Sequence, residues 1–310
     1  MKKEKANKKR IIVPEGCTQA KRCQPRRRQA PVQGRRTPGL PETGLSRKYE
    51  ILKEQLKSTG SAMVAFSGGV DSSLLLRVAA DVLKDKVLAV VIDSPVFSRE
   101  EIQAAKKLAK DLKVSLMTIK ANTLEVPEVI KNTDRRCYYC KLFLFSRLRK
   151  IARQKSLNEI LEGSNLDEAG DYRPGRKALE ELNIRSPLEE AGFTKIEIRK
   201  LAKYLGLPNW NKPSVACLAS RVPYGQPLNV DILSKIEKGE KILRQQGFSQ
   251  VRLRHHGEIA RIEIDPGEFS RWLEPVVREK AVASLKKLGY RYVALDLDGY
   301  RMGSLNPQGR

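Results

Sequence analysis

The chain has 310 residues, of which 40% are hydrophobic, and its formal net charge is +24. This length suits one large domain or two ordinary ones, and this hydrophobic fraction is enough for a buried core. No apolar run approaches the ~18 residues of a membrane span, and no apolar segment follows the basic first residues. We therefore expect a cytoplasmic protein that is neither secreted nor membrane-spanning.

Residues 1–46 are predicted to form a disordered basic tail. The first 48 residues contain 15 Lys and Arg and 3 Asp and Glu, so their net charge of +12 is half of the total of +24. The tail is also rich in Arg, Pro, Gly and Gln, a composition typical of disorder. A nucleic-acid-binding arm is the alternative. Its cysteines, Cys17 and Cys23, have no assigned role.

Residues 47–208 are predicted to form a doubly wound α/β domain around a parallel sheet. The strand KVLAVVID is continuously apolar, as in a sheet that is buried on both faces. Ser98 and Glu101 predict a capping box at the start of the helix that follows it. Strands and helices that alternate at this spacing are typical of right-handed βαβ units. The predicted strands are SAMVAF, KVLAVVID, KVSLMTIKA and EILEGS.

Residues 209–310 are predicted to form a small α+β domain. The pattern predicts a helix that starts at Asn229, two alternating strands around the turn HHGE, a second helix and a last strand, YRYVALDLD. Pro275 should break or kink the second helix near its start. We expect the sheet of this domain to be antiparallel.

The segment SGGVDSS lies between the first apolar strand and the next helix. Its glycines let the backbone approach a ligand, its serines offer hydroxyl donors, and the helix N-terminus attracts negative charge. These features predict a polyphosphate site at the carboxyl end of the first strand, where open α/β sheets bind ligands. The residues of this predicted site are Ser67, Gly68, Gly69, Val70, Asp71, Ser72 and Ser73.

SGGVDSS resembles the PP-loop of the ATP pyrophosphatases, and it is neither a Walker A loop nor a GxGxxG fingerprint. The resemblance implies an enzyme with a HUP-like fold that cleaves ATP to AMP and pyrophosphate and adenylates a substrate oxygen. It also implies that Asp71 helps to place Mg²⁺, for which a lone carboxylate beside phosphates is suited. Asp93 and Ser94 end the second strand and would lie near the adenosine; an ordinary polar strand end is the alternative.

Three cysteines outside the tail are candidates for chemistry. Cys137 and Cys140 form a CxxC at the start of a predicted helix, and Cys217 stands in the segment KPSVACLASRVPYG. The helix N-terminus and nearby arginines would favour thiolates, which are both nucleophiles and soft-metal ligands. Four alternatives remain open from the residues: a redox pair, structural cysteines, a zinc site completed by His255 or His256, and an iron–sulfur cluster.

The globular part of the chain, from about residue 46 onwards, resembles the LarE family. That family contains ATP-dependent sulfur transferases of nickel-pincer nucleotide synthesis. The resemblance is carried by SGGVDSS, EGSNLDEAGDYRPGRKAL, SPLEEAGFTKIEIRKLAKYLGLP, WNKPSVACLASRVPYG and LDLDGYRMGSLN.

The resemblance implies that ATP adenylates the carboxylates of pyridinium-3,5-biscarboxylic acid mononucleotide and that sulfur then displaces AMP to leave thiocarboxylates. One form of the family sacrifices the sulfur of a single cysteine, which matches Cys217. The other form binds a [4Fe-4S] cluster through three cysteines, and the presence of Cys137 and Cys140 favours it here. The resemblance therefore implies ATP, Mg²⁺ and the cluster as cofactors, together with a sulfide donor, and we also expect a homo-oligomer.

The resemblance also implies roles for particular side chains. Arg221, Arg252 and Arg254 match arginines that bind the substrate phosphate, and Arg252 and Arg254 share one face of a strand. Glu240 is a candidate catalytic residue together with Cys217 and Asp71, with an ordinary surface glutamate as the alternative. Asp167 and Asp171 could hold a metal or order their loop.

Two other functions remain as hypotheses. A PP-loop tRNA thiolase also uses cysteines and would explain the basic charge. A non-catalytic metal- or RNA-binding protein on this fold is the other. Because half of the excess charge is in the tail, and because the SGGVDSS loop is intact, we expect a small nucleotide substrate and no nucleic acid partner.

Overall fold

The computed structural model describes residues 43–168, 174–301 and 305. The predicted tail therefore lies almost entirely outside the described residues, as do Cys17, Cys23 and Asp171. The first helix begins at Thr43, within the last residues assigned to the tail. None of the helices in the described ranges is long and apolar enough to cross a membrane.

A parallel sheet of four strands forms the centre of the first part of the chain. Its strands are β1 (Ala62–Ala65), β2 (Val87–Asp93), β3 (Ser115–Lys120) and β4 (Glu159–Leu161), in the order β3-β2-β1-β4. The helices around it are α1 (Thr43–Thr59), α2 (Val70–Leu83), α3 (Arg99–Asp111), α4 (Pro127–Ile130), α5 (Arg136–Gln154), α6 (Pro174–Glu181), α7 (Pro187–Glu190) and α8 (Lys195–Tyr204).

Both faces of this sheet are buried, as the continuous apolar strands predict. On β1, Val64 packs with one hydrophobic cluster and its neighbour Met63 packs with another, because successive side chains point to opposite faces. On β2, Val90 and Val91 divide in the same way. The doubly wound α/β arrangement is confirmed.

A second sheet of three strands follows. The strands β5 (Val251–His256), β6 (Ile259–Ile264) and β7 (Tyr292–Leu295) pack against α9 (Val230–Gln245), and α10 (Phe269–Leu273) and α11 (Pro275–Lys287) connect β6 to β7. The prediction of an antiparallel sheet is wrong for the last strand: β5 pairs antiparallel with β6, but β7 pairs parallel with it. The helical connection carries the chain back to the same end of the sheet, as a parallel pair requires.

Of the three predictions made from helix-start and helix-break residues, two are confirmed and one is wrong. Asn229 accepts a hydrogen bond from the Ile232 N–H at 2.8 Å and caps α9 as predicted. Pro275 separates α10 from α11, so the predicted break is confirmed. The capping box at Ser98 is wrong, because the Ser98 side chain makes no cap hydrogen bond. At this helix start the Arg99 N–H instead donates to the carboxylate of Glu237 on α9.

Candidate active site

A large cavity lies against the carboxyl ends of β1 and β2 and extends to β5. Its volume is about 1280 Å³. The SGGVDSS loop lines one part of it, the three cysteines line another, and Arg252 and Arg254 line a third. An α/β sheet binds ligands at this edge, so the fold itself makes this cavity the candidate active site.

The SGGVDSS loop contributes some side chains to the cavity and uses others to hold its own shape. Ser67, Gly69, Val70, Asp71 and Ser72 line the cavity. The Ser67 and Ser72 hydroxyls lie 3.0 Å apart, so their donors are held together at the N-terminus of α2. The loop therefore presents hydroxyls and free helix N–H groups to the cavity, which suits a polyphosphate.

The other two residues of the loop, Gly68 and Ser73, do not line the cavity. Gly68 has a φ of +75°, and a Cβ placed there would lie 2.8 Å from the Ala105 Cβ of α3. The Ser73 hydroxyl donates to the Gly69 carbonyl at 2.7 Å. Asn209, which the sequence did not indicate, donates to the Ser73 hydroxyl at 2.9 Å and to the Gly68 carbonyl at 3.0 Å.

Asp71 lies in the cavity beside a lysine. The Lys195 ammonium forms an ion pair with the Asp71 carboxylate, and Asn165 donates to the same carboxylate at 3.3 Å. Lys195 is the first residue of α8 and also lines the cavity. A cation thus already neutralises Asp71 at the position where the resemblance implies Mg²⁺. Asp167 does not join this group but accepts the Lys195 N–H at 2.8 Å and so orders its loop.

Asp93 and Ser94 do not line the large cavity. Ser94 is fully buried, and its hydroxyl lies 3.0 Å from that of Thr123. Asp93 is ion-paired with Arg99 and lines a separate cavity of about 320 Å³. The contacts of Asp93 and Ser94 are those of an ordinary polar strand end, which the sequence analysis gave as the alternative to a position near the adenosine.

The three cysteines outside the tail converge on the cavity as free thiols. Cys137 and Cys140 lie in the first turn of α5, and Cys217 precedes the short helical turn Leu218–Arg221. The buried Arg136 connects the two segments, since it donates to the Ala219 carbonyl at 3.1 Å. Residues that are 77 positions apart in the sequence, Cys140 and Cys217, thereby face the same space.

Burial and neighbouring charge raise the pKa values of Cys137 and Cys140. Burial is the largest cause that raises the pKa of Cys140 to about 12, and the charges of Cys217 and Cys137 add to it. Burial and Cys217 raise the pKa of Cys137 in the same way. The thiolate forms of Cys137 and Cys140 are therefore disfavoured, contrary to the expectation from the helix N-terminus and the nearby arginines.

The three thiols that line the cavity are of the kind that ligates an iron–sulfur cluster, but the described residues are not placed as a metal-binding group. In the described ranges, no three His, Cys, Asp or Glu side chains are placed to hold one metal ion. His255 and His256 do not line the cavity, so neither is a fourth ligand for a zinc ion bound by the cysteines.

Arg221 and Glu240 form a buried ion pair behind the cavity wall. The Arg221 Nε lies 2.9 Å from the Glu240 Oε1, and their side chains are 1% and 4% exposed. Burial alone would raise the pKa of Glu240, but the charge and hydrogen bond of Arg221 lower it below its ordinary value. Arg221 also donates to the Ala216 and Cys217 carbonyls at 2.7 and 3.1 Å. Arg221 therefore holds the Cys217 segment in place, and it does not itself line the cavity.

Arg252 and Arg254 line the cavity from one face of β5, as their spacing predicts. Arg254 is paired with the buried Glu263 at 2.7 Å. Burial and the charge of Arg221 lower the pKa of Arg252, which marks a desolvated positive region. An anionic group of a ligand would be stabilised there.

The cavity is lined by further residues to which the sequence assigned no role. They are charged or aromatic and are distant from SGGVDSS in the sequence: Glu101, Lys141, Glu162, Lys195, Lys212, Tyr224 and Tyr300. Lys212 pairs with Glu101 at 2.5 Å. Their positions in the fold bring them together, but one signal was available: the segments that carry the family resemblance include Glu162, Lys195, Lys212, Tyr224 and Tyr300.

Comparison with known proteins shows the family to which the chain belongs. The profile of the NAD synthase family matches residues 45–154, which include the SGGVDSS loop and the CxxC. The pyridinium-3,5-bisthiocarboxylic acid mononucleotide synthase of Lactiplantibacillus plantarum is 41% identical over 263 residues, which cover 84% of this chain and 95% of that enzyme. The chain belongs to the LarE family.

Two other relatives mark the extent of this similarity. An uncharacterized protein of Synechocystis is 37% identical over 262 residues, which cover 84% of this chain and 98% of that protein. A subunit of the glutamine-hydrolyzing GMP synthase of Sulfurisphaera tokodaii is 26% identical over 212 residues, which cover 63% of this chain and 55% of that protein. Membership of the LarE family makes this chain an enzyme of the PP-loop superfamily and fits the use of ATP.

Proposed function

We propose that this protein is an ATP-dependent sulfur transferase that converts the carboxylates of pyridinium-3,5-biscarboxylic acid mononucleotide into thiocarboxylates. The observation that carries the proposal is one cavity shared by the SGGVDSS loop, three free thiols and two arginines. The 41% identity to the synthase of L. plantarum supports the choice of substrate.

The proposed chemistry has two steps. A carboxylate oxygen attacks the α-phosphorus of ATP, pyrophosphate leaves, and the carboxylate becomes an acyl adenylate. Sulfide then attacks the acyl carbon, the bond to AMP breaks, and a thiocarboxylate remains. The first step is needed because a carboxylate repels a nucleophile and lacks a good leaving group. A second round at the other carboxylate would give the bisthiocarboxylate.

The residues of the chain have separate roles in this proposal. The loop from Ser67 to Ser73 binds the ATP phosphates, Asp71 would hold Mg²⁺, and Lys195, which pairs with Asp71 here, would bind the phosphates. Arg252 and Arg254 bind the phosphate of the substrate. Arg221 and Glu240 act behind them, since their ion pair holds the segment of Cys217 in place. We also propose that residues 47–208 form the ATP pyrophosphatase domain, which supplies Cys137 and Cys140, and that residues 209–310 form the substrate and sulfur-transfer domain, which supplies Cys217.

Cys137, Cys140 and Cys217 would hold the proposed [4Fe-4S] cluster. When bound by three cysteines, such a cluster supplies an iron without a protein ligand, at which an extra sulfide can be carried. Arg136 would keep the two cysteine segments together, because it contacts both the Cys137 sulfur at 3.9 Å and the Ala219 carbonyl. The alternative, in which Cys217 gives up its own sulfur, uses the same position in the cavity.

The test is anaerobic turnover with ATP, Mg²⁺, sulfide and the dicarboxylate mononucleotide. We expect pyrophosphate release and a thiocarboxylate product by mass spectrometry in the wild type, and pyrophosphate release alone in Cys217→Ala. A loss of about 34 Da from the wild-type chain would show that Cys217 is consumed instead. Failure of the wild type to thiolate the mononucleotide, with sulfur found in added tRNA, would contradict the proposal.

A further inference from the structure

The segment that follows β7 is built as a rigid turn beside the cavity. The Asp296 carboxylate accepts the Asp298 N–H at 3.0 Å. Gly299 has a φ of +70°, and a Cβ there would lie 2.9 Å from the Ile264 carbonyl oxygen. The Tyr300 N–H donates to that same carbonyl at 2.8 Å. The chain therefore fixes the position of Tyr300 at the edge of β6.

The ring of Tyr300 lies against the guanidinium of Arg252. The guanidinium carbon is 4.9 Å from the ring centroid, and both residues line the cavity. Arg252 also donates to the Val251 carbonyl at 2.8 Å and to the Ser214 carbonyl at 3.0 Å. A ring and two carbonyls thus fix a side chain that would otherwise have many rotamers.

Arg252 differs from the other two arginines of this region in its ion pairing. Arg221 is paired with Glu240, and Arg254 is paired with Glu263. Within the described part of the chain, no carboxylate lies within salt-bridge distance of Arg252, although this side chain is only 7% exposed. A buried cation that lacks a carboxylate is costly unless a ligand supplies the anion.

We propose that Tyr300 is a positioning residue for the substrate phosphate: its ring holds the Arg252 guanidinium in the cavity wall, where it binds the phosphate of the mononucleotide. This inference rests on the proposed function, since it assumes a mononucleotide ligand. The turn from Asp296 to Arg301 is then part of the substrate site. In this proposal, Asp296 and Gly299 shape the turn so that the ring of Tyr300 lies against Arg252.

The test compares binding of a pyridinium mononucleotide with binding of its phosphate-free riboside. Nicotinic acid mononucleotide and nicotinic acid riboside are suitable probes for calorimetry on the full chain. We expect Tyr300→Leu to weaken binding of the mononucleotide by about 5- to 30-fold, the range for a desolvated cation–ring contact, and to leave the riboside unaffected. Tyr300→Phe keeps the ring and should bind both probes like the wild type.

Three further variants make the result specific. Arg252→Gln should show the same selective loss, and the double variant Arg252→Gln/Tyr300→Leu should lose no more than Arg252→Gln alone. Tyr292→Leu changes an exposed tyrosine of β7 that does not line the cavity and should change neither affinity. The Kd for ATP and the Tm verify that each variant is folded.

Several outcomes would overturn the inference. They are an equal loss for both probes in Tyr300→Leu, no loss for either, or additive losses in the double variant. A wild type that binds the mononucleotide selectively but does not thiolate the dicarboxylate would refute the proposed function and leave the role of Tyr300 intact. A wild type that binds neither probe would refute both.

Discussion

At the scale of single residues, the ion pair of Arg221 and Glu240 joins the cysteine segment to α9. Glu240 also accepts the Leu253 N–H of β5 at 3.2 Å, so one carboxylate contacts a loop, a helix and a strand. Such a pair is costly to disrupt from one side, because the remaining charge stays buried. Its contribution should thus be visible in stability as well as in activity.

Glu240→Ala should lower the free energy of unfolding by about 3–5 kcal/mol, because it leaves Arg221 buried without its partner. Chemical denaturation followed by circular dichroism measures the change. Glu258→Ala is the matched control: Glu258 pairs with Arg291 at 3.7 Å with both side chains 68% exposed, and it should change stability by less than about 0.5 kcal/mol. Equal effects of the two variants would contradict the structural role.

The same pair predicts a pH dependence. The pKa of Glu240 is lowered in the folded state, so its stabilisation is fully present above its unfolded value of 4.5 and is lost as the pH falls through the folded pKa. The difference in unfolding free energy between the wild type and Glu240→Gln should therefore shrink as the pH is lowered below 4.5. A constant difference across that range would refute the assigned shift.

At the scale of elements, the turn from β1 into α2 determines the position of the phosphate loop. Position 68 requires a glycine for two reasons: its φ is left-handed, and a Cβ there would collide with α3. Gly206, at the end of α8, has almost the same φ of +74°, but nothing lies within 4 Å of a Cβ placed there. Substitutions at the two glycines therefore distinguish the effect of backbone strain, which both share, from the effect of a steric clash, which only Gly68 has.

Gly206→Ala should cost about 1 kcal/mol of stability, the strain of a left-handed alanine, and should leave ATP affinity unchanged. Gly68→Ala should cost more and should also weaken ATP binding by at least about tenfold, because the loop has to move away from α3. Denaturation and calorimetry on both variants measure the effects. If Gly68→Ala binds ATP normally, the loop is not the phosphate site.

The sequence predicted the elements around the cavity better than their tertiary contacts. Apolar runs in β1 and β2 and the glycines of SGGVDSS act locally, so the sheet and the loop could be predicted. Ser98 shows where local prediction fails. The residues of a capping box are present in the sequence, but in the fold the Arg99 N–H at the helix start donates to the carboxylate of Glu237 on α9. Lys195 and Tyr300 reach the cavity from distant segments, and such contacts have no local pattern.

At the scale of the whole molecule, the described fold begins at α1. Leu45 is only 3% exposed and packs in the core with α2 and α8, although the composition placed it in the tail. The basic residues before this helix lie outside the described part of the chain.

Deletion of residues 1–42 should leave ATP-dependent turnover and Tm unchanged. Leu45→Ala in the same shortened chain should cost about 2–5 kcal/mol of stability, because it removes a buried side chain from the core. Thermal unfolding and a pyrophosphate assay measure both effects. A large loss of turnover in the deletion variant would mean that the basic segment takes part in the reaction.

Arg252 has no carboxylate within salt-bridge distance among the described residues, and this links folding to the composition of the solution. An anion that binds there adds its binding free energy to the stability of the native state, by the logarithm of its concentration over its Kd. We therefore expect the proposed phosphate site at Arg252 to raise the melting temperature in a phosphate buffer relative to a chloride buffer of equal ionic strength.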